Sequence, residues 1–272
     1  MQANKPNLVL GTAWRLTVDE VGVFVESLRR HYSGLAMLVI SSRDSRDLVQ
    51  YLLARDVVPV FFDCPHWMVM HIQLARYVRY GEVLRGLGIE CHRVLLSDVS
   101  DVVFQADPFV NLPDGELLCF AEEAGRRIGQ CEFNRRWVQE VYGTQGLERV
   151  ADCQIYCSGT TIGSQRAIVQ YIDLLLTQAT PEVLANVSKV RGHDQGIHNF
   201  LLHTGALPQA RMIDNGRHVY TLGHVPDGQV HIGEGGAILT AEGLACPIVQ
   251  QYNYKPPIDA RVRAAFGLGS RG

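Results

Sequence analysis

Short apolar runs alternate with amphipathic segments over roughly the first hundred residues, and no other feature of the sequence constrains the fold as strongly. The apolar runs are short enough to be buried strands, and the segments between them have helical periodicity. The predicted strands are residues 7–11, 36–40, 57–62 and 93–97, and the predicted helices are residues 17–31, 44–55 and 66–87, the last interrupted at Gly81. Such alternation is typical of a mainly parallel sheet with helices on both faces.

The second half of the chain is less regular. Here the predicted strands are residues 117–122 and 154–162, and the predicted helices are residues 164–178 and 193–203. Glycine, proline and short apolar runs dominate residues 205–249, which suits an antiparallel portion with loops. Because the sequence contains no repeat, low-complexity block or linker, we interpret residues 1–272 as one domain.

Composition excludes several classes of protein. The formal net charge of -3 argues against a nucleic-acid partner, which would require a basic face. No run approaches the roughly 20 apolar residues that span a bilayer, and the amino terminus lacks the layout of a signal peptide. The seven cysteines have no zinc-type spacing, so we expect reduced thiols in a cytoplasmic protein.

An acidic segment follows the fourth predicted strand. Residues 93–109 read RVLLSDVSDVVFQADPF, so the apolar run stops at Asp98 and continues with Asp101 and Asp107. In open parallel sheets, ligands bind beyond the carboxyl ends of the strands. Two carboxylates on such a turn can converge on Mg²⁺ or Mn²⁺, which prefer oxygen ligands. The alternative is that Asp98 and Asp101 only cap the turn or the next helix.

The residues around this acidic pair resemble the Asp-x-Asp region of glycosyltransferases with the GT-A fold. The segment LLSDVSDVVFQADPF is similar to an Asp-x-x-Asp-Val-x-Phe-Gln-x-Asp-Pro-Phe segment of a bacterial and eukaryotic group of these enzymes. Further segments resemble the same group in the same order: NLVLGTAW, YCSGTTIGS, GHDQGIHNFLL and PIVQQYNYKP. The resemblance implies an α/β GT-A fold, with a Rossmann-like, mainly parallel sheet and a smaller antiparallel portion in the C-terminal half.

The resemblance also implies an activity, the transfer of a sugar from a nucleotide-sugar, by default a UDP-sugar, to a glycan or glycolipid. Residues 1–110 would form the nucleotide-binding half, and residues 111–272 the acceptor-binding half and a closing tail. A more distant similarity to glycosyltransferase family 8 favours retention of configuration. Inversion would require a free carboxylate as general base, a role that Asp194 could take.

A metal site is part of this expectation. By resemblance, Asp98 and Asp101 would hold Mn²⁺ or Mg²⁺, which would act as a Lewis acid on the departing diphosphate. Gln250 stands where the group usually has a histidine, and an amide oxygen binds manganese less strongly than imidazole does. We therefore keep His224 and His231 as alternative ligands.

The remaining site residues are also assigned by resemblance. Asp194 and Gln195 would act near the reacting centre, and an arginine on the preceding helix, Arg76 or alternatively Arg79, would face the donor. Cys157 replaces the usual asparagine of the Asn-Ser-Gly segment, which removes one expected contact to a sugar hydroxyl. The residues expected to contact the donor are Gly11, Thr12, Ala13, Asp98, Ser158, Gly159 and Lys255.

Two other functions fit parts of the sequence. A sugar nucleotidyltransferase shares the fold, but its glycine- and lysine-rich loop after the first strand is missing. A nucleotide-sugar or glycan-binding protein without catalysis would explain Cys157 and Gln250. The basic C-terminal stretch, residues 259–272, is expected to be a frayed tail, with peripheral contact at the inner face of a membrane as the alternative.

Overall fold

A seven-stranded, mostly parallel sheet forms the centre of the protein, whose computed structural model describes residues 5–188 and 191–269. The strands of these residues are β1 (Leu8–Thr12), β2 (Leu35–Ile40), β3 (Val57–Phe61), β4 (Val94–Ser97), β5 (Val102–Phe104), β6 (Leu117–Ala121), β7 (Tyr156–Gly163), β8 (Ala210–Ile213), β9 (Val219–Thr221), β10 (His231–Ile232), β11 (Ile238–Leu239) and β12 (Ile248–Gln250). The order in the large sheet is β3-β2-β1-β4-β7-β6-β8, and β7 runs antiparallel to both of its neighbours. The predicted mainly parallel sheet is confirmed.

Helices cover both faces of this sheet. They are α1 (Val18–His31), α2 (Arg46–Leu53), α3 (Ile72–Gly86), α4 (Glu132–Glu148), α5 (Gln165–Gln178), α6 (Pro181–Asn186), α7 (His193–His203) and α8 (Pro256–Ala265). Side chains of α3, α5 and α7 form a core with Leu8 and Leu10 of β1, whereas those of α1 and α2 form a second core with Val9. Because both faces are buried, the strands are almost continuously apolar.

The α1 amino terminus shows why the sequence was informative. Thr17 Oγ1 accepts a hydrogen bond from the Glu20 backbone N–H at 3.3 Å, and the Glu20 carboxylate accepts one from the Thr17 N–H at 2.8 Å. This reciprocal pair is a capping box, formed by a threonine and a glutamate three residues apart. Ser45 caps α2, while Asp44 binds backbone N–H groups of the preceding turn.

Several elements differ from the sequence predictions. Helices α4 and α6 and strand β5 were not predicted, and α3 continues through Gly81 without interruption. Residues 66–71, predicted to belong to the same helix, form a 3₁₀ segment before α3 begins. Two small sheets lie outside the large one: an antiparallel β10–β11 pair from the C-terminal half, and a mixed β5-β12-β9 sheet to which the first half contributes β5.

The expectation of a frayed tail is wrong for the described part of the C-terminus. Helix α8 packs against α1, and Arg263 is 1% exposed with its guanidinium bonded to the Asp19 carboxylate at 2.7 and 2.8 Å. The Arg263 guanidinium joins α8 to α1, so an arginine in this stretch did not indicate an exposed tail. Residues 270–272 lie outside the described residues.

Strand direction determines where functional side chains meet. Strands β1, β4 and β6 are parallel, so their carboxyl ends lie at one edge of the sheet, where antiparallel β7 begins. The residues that follow β4 and β6 and the first residues of β7 are thereby brought together. All seven cysteines are free thiols, as predicted. No helix within the described ranges is both long and apolar enough to cross a membrane.

Candidate functional site

Asp98 lies at the sheet edge directly after β4, in close contact with the start of β7. Its backbone N–H donates to the Gly159 carbonyl at 2.7 Å. A β-carbon at Gly159 would overlap both Asp98 Oδ2 and Gln250 Nε2. Glycine is therefore required for Asp98 and Gln250 to approach β7 this closely, and three residues predicted for the site are in one place.

Arg76 joins the two predicted acidic positions. Its side chain, projecting from α3, is ion-paired to Asp98 Oδ1 through one terminal nitrogen and to Asp194 Oδ2 at 2.9 Å through the other. Burial would lower the pKa of the guanidinium, but the carboxylates of Asp98 and Asp194 hold that pKa well above its ordinary value. Arg76 is thus a permanent cation between two carboxylates. Arg79, the alternative, pairs with Glu82 on the same helix at 2.8 Å.

Asp194 lies in the first turn of α7. The helix is preceded by Gly192 in the left-handed conformation (φ 115°), so Gly192, and not Asp194, is the N-cap residue. Asp194 is 3% exposed, and its Oδ2 also accepts a hydrogen bond from Ser158 Oγ at 3.1 Å. Burial raises the pKa of this carboxyl, and Arg76 opposes the rise. The Asp194 carboxylate is therefore fixed in position by Arg76 and Ser158.

Gln195 faces a second group of polar residues. Its amide nitrogen donates to Glu122 Oε1 at 3.0 Å and to Asn134 Oδ1 at 3.1 Å. Asn134 in turn donates to Cys131 Sγ at 3.3 Å. Since both amide hydrogens of Gln195 are used, its carbonyl oxygen is the group left to bind a ligand.

Cys131 has an unusual environment at the amino terminus of α4. Burial alone would raise the pKa of its thiol, but hydrogen bonds from His224 and Asn134 more than offset this and lower the pKa to about 6. His224 Nδ1 lies 2.9 Å from an Arg126 terminal nitrogen. His224 therefore belongs to this thiol cluster, while His231 lies on β10 and is exposed.

The side chains predicted to bind a divalent cation carry oxygen atoms, but Gln250 presents its amide nitrogen to Asp98, and Asp98 Oδ1 is ion-paired to Arg76. Gln250 Oε1 accepts from Thr160 Oγ1 at 2.7 Å, and its Nε2 lies 3.4 Å from Asp98 Oδ2. Rotating the carboxamide by half a turn would direct the oxygen toward Asp98, and the Thr160 hydroxyl could then accept instead of donating. Within the described ranges, no three His, Cys, Asp or Glu side chains are grouped as a metal site. Asp101 is half-buried in the turn that follows Asp98, and metal binding by Asp98, Asp101 and Gln250 stays a prediction.

The residues expected to contact the donor are only partly near Asp98. Gly11 packs so closely beneath Val99 that a β-carbon there would lie 2.7 Å from its methyl group. Thr12 Oγ1 shares a 2.7 Å hydrogen bond with Tyr80, and the side chain of Ala13 is fully buried. Lys255 Nζ donates to the Val225 carbonyl at 2.6 Å and to Asp227 at 2.8 Å, so its ammonium group is engaged by these two residues and not by Asp98 or Asp101.

Cys157, which replaces the expected asparagine, is 2% exposed at the start of β7. Burial raises the pKa of this thiol well above its ordinary value. It is therefore a neutral, apolar packing residue and supplies no strong hydrogen bond to a ligand.

A cleft of about 430 Å³ opens beside Gln195. We call it the aromatic cleft, and define it by Glu122, Gln195, His224 and three aromatic residues, Phe133, Trp137 and Tyr254. Phe133 and Tyr254 are 54% and 63% exposed, which is unusual for large aromatic side chains.

Sequence reasoning missed Glu122, Asn134 and Trp137. Glu122 had a usable signal, because it ends the apolar run LLCFA as Asp98 ends VLLS, and both strands are parallel. Asn134 and Trp137 lie on α4, which was not predicted. No protein-family model matches the chain, and no curated protein matches it significantly.

Proposed function

We propose that the protein is a metal-dependent glycosyltransferase that moves a sugar from a nucleotide-sugar, first of all a UDP-sugar, to a glycan or glycolipid. The observation that carries the proposal is the Asp98–Arg76–Asp194 bridge at the carboxyl edge of the sheet, in which Arg76 and Asp194 are buried and Asp98 is partly exposed. Ligands of open α/β sheets bind at this edge. Fixed charges in a site of low water content are the means by which enzymes stabilise departing groups.

Departure of a nucleoside diphosphate leaves negative charge on its terminal phosphate. A cation held by Asp98, Asp101 and Gln250 would supply Lewis-acid stabilisation of that charge, an effect worth several kcal/mol. Both terminal nitrogens of Arg76 are ion-paired to carboxylates, so we assign it a positioning role rather than a phosphate contact. Its positive charge holds the Asp98 and Asp194 carboxylates close together, although the two negative charges repel each other.

We also propose retention of configuration. Asp194 Oδ2 is shared between Arg76 and Ser158, which leaves this carboxylate poorly suited to take a proton from an acceptor hydroxyl. Gln195 offers a carbonyl oxygen beside it, which is suited to a developing positive charge on the sugar. Both features favour a mechanism without a separate general base.

The test is nucleotide release from a panel of UDP- and GDP-sugars, with Mn²⁺, with Mg²⁺ and with a chelator. At least one donor should release nucleotide in a cation-dependent way. Asp98→Asn should reduce the rate at least about 100-fold, as loss of one electrostatic contact to the reacting centre typically does. Asp173→Asn, which removes an exposed acid paired with Arg85, is the matched control and should stay within twofold of the parent.

Other outcomes separate the rival functions. Saturable nucleotide-sugar binding without turnover would indicate a binding protein that has lost catalysis. Formation of a nucleoside triphosphate from donor and pyrophosphate would indicate a nucleotidyltransferase. Equal turnover by the parent and Asp98→Asn would contradict the assignment of Asp98.

A further inference from the structure

Glu122 is a buried carboxylate whose two oxygens differ in their hydrogen bonding. It directly follows β6 and is 3% exposed. Gln195 Nε2 donates a hydrogen bond to Glu122 Oε1 at 3.0 Å, whereas no described residue is hydrogen-bonded to the buried Glu122 Oε2. An unsatisfied buried carboxylate oxygen costs free energy unless a partner arrives. Burial also raises the pKa of this carboxyl.

The same cleft is flanked by aromatic rings that are held in place. Trp137 packs over Gly192 and Gly196, where a β-carbon would overlap its indole ring or backbone. The Phe133 ring lies 5.9 Å from the Trp137 ring, tilted by 32°. The indole N–H of Trp137 is also buried without a hydrogen-bond acceptor among the described residues. The cleft thus combines apolar ring faces with an unsatisfied donor and an unsatisfied acceptor.

We infer that the aromatic cleft binds the acceptor as a neutral pyranose ring, stacked on Trp137 and hydrogen-bonded through a hydroxyl to Glu122 Oε2. The identification of this sugar as the acceptor rests on the proposed function. The binding site itself stands on the geometry of the cleft.

A pyranose matches these groups in both polarity and shape. Its C–H faces are apolar and pack on aromatic rings, while its equatorial hydroxyls lie in the ring plane and bind polar groups at the edge. A hydroxyl can donate to Glu122 and accept from a neighbouring donor such as the Trp137 indole. An anionic ring substituent beside Glu122 Oε2 would be repelled by its carboxylate, while Arg191, the cation that also lines the cleft, is exposed.

Binding can be measured through Trp137 itself. In a Trp14→Phe, Trp67→Phe background, Trp137 is the sole tryptophan, and its emission reports a sugar stacked on the ring. The probes are the methyl α- and β-glycosides of glucose, galactose, mannose and N-acetylglucosamine. At least one should give a saturable change in emission.

Two variants and one control make the assignment specific. Glu122→Gln should weaken binding about tenfold, because hydrogen bonds to a charged group are among the stronger ones. Tyr254→Ala at the exposed rim should weaken it as well, and its 63% exposure makes misfolding an unsuitable explanation. Glu123→Gln, one residue along and lining a different depression, should bind as the parent does.

The thermal shift given by UDP with Mn²⁺, measured on the same proteins, separates this inference from the proposed function. Glycoside binding with no UDP response would support the cleft and contradict the transferase. A UDP response with no glycoside effect on Trp137 would overturn the cleft as a sugar site. Unchanged glycoside affinity in both Glu122→Gln and Tyr254→Ala would overturn it too.

Discussion

At the scale of single residues, Gly159 provides the sharpest test of the site geometry. A methyl group at this position would displace Asp98 and Gln250, so Gly159→Ala should weaken UDP–Mn²⁺ binding at least about tenfold, at a stability cost of roughly 1–3 kcal/mol. Gly86→Ala is the matched control, since a β-carbon at the end of α3 meets nothing within 4 Å. It should leave binding unchanged. Calorimetric titration and melting measure both quantities, and equal affinities in the two variants would contradict the close approach.

Cys131 provides a second residue-scale prediction. Cys131 is 1% exposed but lines the aromatic cleft, and with a thiol pKa of about 6 its alkylation by iodoacetamide entering that cleft should level off above about pH 7. Burial raises the pKa values of Cys64 and Cys153, so their rates should still be rising at pH 9. Peptide mass mapping across pH separates the sites, and His224→Asn should shift the Cys131 profile to higher pH. A Cys131 profile that rises in parallel with that of Cys64 would contradict the environment described here.

The sequence indicated some of these residues and could not indicate others. Asp98 and Gly159 are recognisable because their local segments carry a pattern. The choice between Arg76 and Arg79 depends on which face of α3 meets the sheet edge, and the weak periodicity of that helix does not determine it. The pairing of Cys131 with His224 joins residues about ninety positions apart, and no local signal records it.

At the scale of elements, α7 contains a buried histidine that ties acid stability to packing. His198 is fully buried, its Nδ1 lies 2.9 Å from the Tyr171 hydroxyl, and burial lowers its pKa to about 3. In the unfolded chain its pKa is about 6.5, so between those values the unfolded state binds the extra proton. Stability conferred by neutral His198 is therefore present above pH 6.5 and is lost as pH falls toward 3.

The measurement is urea unfolding at pH 7 and pH 4.5. Between pH 7 and pH 4.5 the free energy of unfolding of the parent should fall by about 2–3 kcal/mol more than that of His198→Gln. Two pH units correspond to roughly 2.7 kcal/mol for one fully shifted group. His92→Gln, at an exposed position, should lose as much as the parent. An identical pH dependence in the parent and His198→Gln would show that His198 does not remain neutral in the fold.

The contact between α8 and α1 gives a stability prediction at the same scale. Arg263→Met should lower the free energy of unfolding by about 1–3 kcal/mol, because charge-assisted hydrogen bonds to Asp19 and to the Gly269 carbonyl are lost. Arg261→Met on the same helix is exposed and should cost less than about 0.5 kcal/mol. Chemical denaturation measures both, and equal costs would contradict the anchoring role.

Elements with strong local signals were predictable, and those made by tertiary packing were not. The capping box of α1 and the apolar runs of β1, β2 and β4 specify their structures locally. Helix α4 buries few of its residues and has a break in helical geometry at Gly143, so its periodicity is weak. Helix α8 begins with two prolines and carries arginines, a pattern that also fits an exposed tail.

At the scale of the whole molecule, sheet topology turns separate motifs into one site. Residues from both halves of the sequence meet because β4 pairs with β7 and β7 with β6. Alternation in the sequence predicted the parallel half of the sheet, but not that β7 would lie between β4 and β6. That insertion puts Gly159 against Asp98 and Ser158 against Asp194, and Glu122 at the end of β6 lies 3.0 Å from Gln195.

The proposed function depends on nucleotide-sugar binding at this edge of the sheet, through Asp98 and a divalent cation. Calorimetric titration of UDP into the parent and Asp98→Asn, with Mn²⁺ and with chelator, tests this binding. We predict saturable binding by the parent that requires Mn²⁺ and falls at least about 100-fold in Asp98→Asn, in line with loss of a metal ligand. Binding of equal strength in both proteins, or independence of Mn²⁺ in the parent, would contradict the account.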